Sequence, residues 1–212
     1  MSKLGKRLLI LIIAILIIAI LIIIISCFVT YKVSFEPKVQ VTSINSEISI
    51  NPKSLLKKFI PNNIDLNFSE IKLESNASFT EEEITDLIIS FIQNDELISK
   101  QVTGVKAIIN DDHLLLYINF NYKGIPVQGV LDFTISAKNH EAILHYNLGK
   151  IGFINISKQT IFDSIENGSI VSKDEAKNDI FISLYNDYGI SIQDASFNDS
   201  NLNLKFELKF NF

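Results

Sequence analysis

Three histidines, a single cysteine and a short acidic run are the residues in this chain whose types could carry chemistry. His113 follows Asn110-Asp111-Asp112, a sequence that turns a hairpin, so it stands at the start of a strand. His140 falls in the turn Asn139-His140, while His145 alternates with Leu144 and Tyr146 and faces away from them. A two-histidine metal pair needs both rings on one face, which a separation across a turn end does not give to His140 and His145. Asn110-Asp111-Asp112 lacks the oxygen spacing of a calcium loop, because the twelfth position from Asp111 is Tyr122 rather than Glu. No Gly-x-Ser-x-Gly elbow, Ser-x-x-Lys motif in a plausible setting or phosphate-cradling Gly loop is present. The acids Glu81, Glu82 and Glu83 suit the positive end of a helix dipole better than a carboxylate site. The sequence therefore predicts no catalytic residue, no metal ligand and no cofactor.

Composition narrows the classes further. The chain of 212 residues carries a formal charge of −5 and a pI near 5.2. Lys3, Lys6 and Arg7 precede every acid, so residues 30–212 hold 16 basic against 24 acidic side chains, a net −8. Arg7 is the only arginine. An acidic body without arginine lacks the clustered cations that phosphate backbones require, which argues against nucleic acid. A single Cys excludes an intrachain disulfide and a cysteine-cluster zinc site.

Leu8 to Ile25 is an unbroken apolar run of 18 residues, 16 of them Ile or Leu, continuing weakly to Val29. As a helix, residues 8–29 span about 33 Å, enough for a hydrocarbon core of ~30 Å. Basic residues ahead of the run keep the N-terminus in the cytoplasm and place the rest outside. The expected organisation is a cytoplasmic basic stub at 1–7, a transmembrane signal anchor at 8–29, a juxtamembrane linker at 30–37 and an extracytoplasmic domain at 38–212. The run exceeds the apolar core of a cleaved signal and lacks an A-x-A site. Ile24-Ile25-Ser26-Cys27 also resembles a bacterial lipobox, so lipidation of Cys27 after cleavage is the rival route to the same tether.

Beyond the linker the pattern reads as one α+β domain of long, curved antiparallel strands packed on amphipathic helices. A short helix opens at Pro52, with Asn51 as cap and Leu55, Leu56 and Phe59 on its apolar face. Alternation resumes over Ile64, Leu66, Phe68, Ile71 and Leu73. Thr80-Glu81-Glu82-Glu83 is a capping box with Phe79 and Ile84 at staple spacing, and Ile84, Leu87, Ile88, Phe91 and Ile92 form the helical stripe. Aspartate at Phe91 is thus expected to cost several kcal/mol. From Val102 the period becomes two, with strands turning at Lys123-Gly124 and Asn139-His140. Ser157 caps a helix through Ile161, Phe162 and Ile165 to Gly168. Ser172 to Glu175 reads as a second capping box, opening a helix from Ala176 to Tyr188 that Gly189 closes. Asn198 to Asn201 turns into a last strand alternating from Leu202 to Phe212.

With no reactive group in view, shape carries the functional expectation. A curved sheet lined by Leu116, Ile118, Phe120, Leu131 and Phe133, beside the Ile84, Leu87, Ile88 and Phe91 stripe, gives either a closed core or an apolar groove open to lipid. The first implies a scaffold or interaction module for an envelope protein partner; the second implies a lipid or other apolar envelope ligand.

The order of elements also carries a resemblance. A basic N-terminus and one apolar helix are followed by Phe79-Thr80-Glu81-Glu82-Glu83-Ile84, Asn110-Asp111-Asp112, Tyr122-Lys123-Gly124-Ile125-Pro126-Val127 and Leu148-Gly149-Lys150-Ile151-Gly152-Phe153 before a short helix. Over about residues 1–170 this resembles the YpmS family of Gram-positive membrane proteins. That resemblance implies a single-pass anchored extracytoplasmic domain and transfers no catalytic residue. Element order alone is similar to tubular lipid-binding domains, which would imply a lipid ligand. Cys27 and the chain after Ser172 depart from the family pattern.

Overall fold

The computed structural model describes residues 3–48, 52–66 and 70–211, which divide into two compact units, 1–36 and 37–212. Asn51, Phe68, Phe212 and the Leu56 side chain lie outside the described residues. The first unit is helix α1 (Lys3–Thr30), continued by a π-helical turn at Tyr31–Phe35. Its stretch Leu11–Phe35 is long and apolar enough to cross a membrane, as an anchor or as a signal sequence.

The second unit is α+β and its strands pair antiparallel. In chain order it comprises β1 (Thr42–Ser43), α2 (Pro52–Lys58), β2 (Asn63–Leu66), β3 (Glu70–Thr80), α3 (Glu81–Gln93), α4 (Glu96–Ser99), β4 (Val102–Asn110), β5 (His113–Tyr122) and β6 (Ile125–Lys138). There follow β7 (Glu141–Ile151), β8 (Ile154–Asn155), α5 (Lys158–Asp163), β9 (Val171–Asp174), β10 (Asp179–Ser183), α6 (Tyr185–Tyr188), β11 (Ile190–Asn198) and β12 (Asn201–Asn211). One sheet runs β1-β4-β5-β6-β7-β10-β9, with β8 beside β7; the other runs β11-β12-β3-β2. Long-range pairing of β3 with β12 ties the early part of the unit to its late hairpin.

Turn chemistry sets the register of these hairpins. Lys123 and Gly124, Asn139 and His140, and Asp199 and Ser200 all take positive φ, the pairing that matches the twist of two-residue hairpins. Inner-face residues then meet across strands: Ile109 with Leu114, Leu114 with Phe133, and Phe133 with Tyr146. Strand β11 lies against β6 and β7, closing a core that includes Phe79, Ala107, Phe133, Tyr146, Phe162, Ile192 and Phe206. Phe162 from α5 is fully buried, edge-on to Tyr146.

Helix α3 starts as its capping box dictates, with Thr80 and Glu83 exchanging side-chain and backbone bonds at 2.9 and 3.2 Å. Its buried face corrects the expected stripe. Ile84, Thr85, Ile89 and Ile92 are buried, whereas Leu87 is exposed and Phe91 is 71% exposed. The rotation has a polar cause: α3 covers the edge of β4 beyond β1. There the Thr85 hydroxyl accepts the Ala107 N–H at 2.9 Å and the Glu81 carboxylate accepts the Ile109 N–H at 2.7 Å. An open strand edge is thereby blunted. Nearby, Gly104 leaves room for the chain entering β1, since a Cβ there would lie 2.6 Å from Val41.

The helix expected from Ala176 to Tyr188 is not formed. Val171–Asp174 and Asp179–Ser183 are the strands β9 and β10, and Ile180 and Ile182 face Leu144 and Ala142 across β7. Ser172 caps nothing; instead Asp174 accepts the N–H groups of Ala176 and Lys177, making a turn completed by Asn178 at positive φ. The Ile180-Phe181-Ile182 run fits both periods, and the bare edge of β7 decides between them. Only the last turn is helical, closed as expected by Gly189 in the left-handed region. Helix α5 is capped by Ser157 but ends at Asp163, short of Gly168.

Candidate functional site

The chemistry-bearing side chains separate onto two surfaces. On the outer face of the larger sheet, register aligns His113, Thr134, His145 and Asp179 on four successive strands. His113 Nδ1 lies 2.7 Å from Asp132, which also accepts from Asn147 at 3.0 Å; His145 Nδ1 lies 2.7 Å from Asp179. The bond to Asp132 raises the His113 pKa, against burial, with Asp112 and Asp111 adding to the rise. His113 and His145 thus each have their own carboxylate. Among the described residues no group of three His, Cys, Asp or Glu side chains is placed to hold a metal ion.

The second surface lies where the β6–β7 turn meets β11 and β12. A cleft of about 530 Å³ is lined there by His140, Tyr185, Gly189, Ser191, Glu207 and Lys209. His140 stacks on Tyr185, with ring centroids 5.0 Å apart, and its Nδ1 lies 2.5 Å from the Ser191 hydroxyl. Its backbone carbonyl accepts the Ile192 N–H at 3.0 Å, fastening the hairpin tip to β11. A bulge between Ile192 and Asp194 releases Gln193, whose amide donates to Ser191 at 2.7 Å and to Glu207 at 3.1 Å.

Glu207 is buried, yet three cationic or amide groups hold it. Lys72 lies at 2.8 Å and Lys209 at 3.0 Å, besides Gln193. Burial pushes its pKa up, but the two lysines outweigh that effect and leave it lowered. Lys72 also pairs with Glu74 at 2.7 Å, and its own pKa is raised by both carboxylates. Serine beside histidine suggests a nucleophile, which requires a base oriented by a third group. Here the third contact of His140 is an aromatic face, and among the described residues no carboxylate hydrogen-bonds its ring. The cleft thus places a histidine, a serine and a lysine-held carboxylate side by side.

The apolar candidates are placed otherwise. Ile84 and Phe133 are buried; Ile88, Leu116 and Leu131 pack against the core; Ile118 and Phe120 are half-buried; Leu87 and Phe91 face solvent. An apolar cleft lies elsewhere, among Phe59, Pro61, Leu73, Ile190, Phe206 and Leu208, and measures about 90 Å³. Small-molecule sites usually enclose about 300–1,000 Å³. Cys27 is exposed within α1. Ser191 and Glu207 were hidden from sequence reasoning because they occupy the polar alternation of their strands, and no sequence signal marks the bulge that turns Gln193 onto them.

Compared with family models, with curated proteins and with solved structures, the chain matches none of them.

Proposed function

We propose that this is a single-pass, membrane-anchored extracytoplasmic protein of the YpmS type that works without catalysis, as an interaction module of the cell envelope. The supporting observation is that the apolar faces of its two sheets are filled by the protein's own Phe133, Tyr146, Phe162 and Phe206. A closed core leaves recognition to the surface, where the His140–Ser191–Glu207 cleft offers convergent polar groups. The apolar helix supplies the tether, and the basic residues Lys3, Lys6 and Arg7 orient it with the body outside. A lipid-carrying body is the competing reading, and it requires an acyl-sized groove that the apolar cleft at Phe59 and Phe206 does not provide.

Photo-crosslinking tests this in cells. The full chain carrying p-benzoylphenylalanine at Asn186, beside the cleft, is expected to give one discrete protein adduct that replacement of the neighbouring Tyr185 by Ala weakens. A purified full chain that instead retains one acyl lipid per molecule after detergent exchange would contradict the closed-core module.

A further inference from the structure

We propose that the end of the body where the polypeptide enters is a bilayer-docking surface, with the β5–β6 tip and the β7–β8 turn seated in the lipid interface. The proposal rests on the membrane-anchored reading above.

Its first support is the way the inner-face alternation of β5 and β6 outruns the core. The pairs Leu114–Phe133, Leu116–Leu131, Ile118–Gly129 and Phe120–Val127 are covered to varying degrees. The next pair, Tyr122–Ile125, is 60% and 50% exposed. At the same end Phe153 and Ile154, after the turn from β7, are 67% and 53% exposed. Single exposed apolar residues are ordinary; four on two turns at one end of a sheet make a patch. Aromatic side chains beside lysine are the usual interfacial anchors, and Lys123 lies 5.5 Å above the Tyr122 ring.

Connectivity selects the occupant. Gln128, on β6 just below the tip, hydrogen-bonds the backbone of Lys38 and Val39. Only Glu36 and Pro37 separate those residues from the helical run ending at Phe35. A bilayer holding that run therefore lies within a few residues' reach of this end. Charge agrees. No acid occurs from His113 to Leu131 or from Ala142 to Phe162; Lys123 lies in the first turn, and Lys150, on β7 opposite Asn155, stands beside the second. The opposite end bears Asp111, Asp112 and Asp199 on adjoining hairpin tips. An anionic lipid surface repels the acidic tips more than the β5–β6 and β7–β8 turns, whose only charges are lysines, so a body of net −8 favours this orientation.

The chain contains no tryptophan, so a single introduced indole is an unambiguous reporter. Ile125→Trp and Phe153→Trp would be made in the full chain, with Tyr188→Trp as the reference. Tyr188 is exposed and lies in α6, at the His140 end. Each chain is reconstituted in vesicles of brominated phosphatidylcholine with phosphatidylglycerol. The expected result is blue-shifted emission from the first two, quenched severalfold more than the reference. If both match the reference in chains that stay with the vesicles through an alkaline wash, the docking surface is wrong and the anchor stands. If the chains leave the vesicles in that wash, the anchored reading fails and the docking proposal falls with it. A blue shift that grows with protein density without bromine quenching places a second copy on the patch and also overturns the proposal.

Discussion

Gln128 grips Val39 from both sides, its carboxamide oxygen accepting the Val39 N–H at 3.1 Å and its amide nitrogen donating to the Val39 carbonyl at 2.8 Å. The same nitrogen also donates to Asn119 at 2.8 Å, so a cross-strand pair on β5 and β6 fixes where the chain joins the body. Gln128→Ala removes the clip and is expected to lower stability by about 1–2 kcal/mol. Amide exchange at Lys38 and Val39 should accelerate while exchange in β6 and β7 stays slow. Unchanged protection at Val39 would show that the linker is held by other means.

Thr85 gives a sharper test of how the sheet edge is closed. Thr85→Val keeps the shape but leaves the Ala107 N–H without its hydroxyl partner. The expected cost is about 1–3 kcal/mol, read from a denaturant midpoint with an unchanged slope. A midpoint equal to that of the parent would mean that water or a shifted α3 replaces the hydroxyl.

Two residues two positions apart on α3 should respond in opposite ways. Ile89 is fully buried, and Ile89→Ala is expected to cost about 2–5 kcal/mol. Phe91→Asp, on the exposed face, should stay within about 0.5 kcal/mol. Thermal melts of the pair decide whether the helix is rotated as described. Comparable losses would put Phe91 back in the core.

His113 sets a pH dependence with a definite sign. Its pKa is raised by the bond to Asp132, so its protonated form favours the folded state. That contribution is fully present below about pH 6.5 and is lost as pH rises through the raised value. NMR titration should find the His113 ring titrating above the ordinary range, and His113→Gln should flatten the loss of stability across that window. A ring titrating below about 6.5 would contradict the Asp132 contact.

These residues also show what the sequence made legible. The α3 capping box, the two-residue hairpin turns and the long alternating strands are local signals, and each forms where its residues predict. The serine cap of α5 and the closing role of Gly189 are local as well. Tertiary partners decided the rest. Ile180 and Ile182 joined a sheet because β7 had a free edge, and α3 turned Thr85 inward because β4 had unpaired N–H groups. Neither demand is visible in the segment that answers it. The His140–Ser191–Glu207 cleft is hidden for the same reason, since its parts come from β6–β7, β11 and β12 and meet only through a bulge.

The single-pass anchor on which the proposed function is built requires α1 to remain attached to the body. The most direct measurement is the intact mass of the protein extracted from the membranes of cells that express the full chain. Retention of α1 predicts the whole chain at 23.9 kDa, unchanged in processing when Cys27→Ala is introduced. A product that lacks residues 1–26 and carries acyl chains on Cys27, with processing blocked by Cys27→Ala, would contradict the transmembrane anchor, as would a body released without the apolar run.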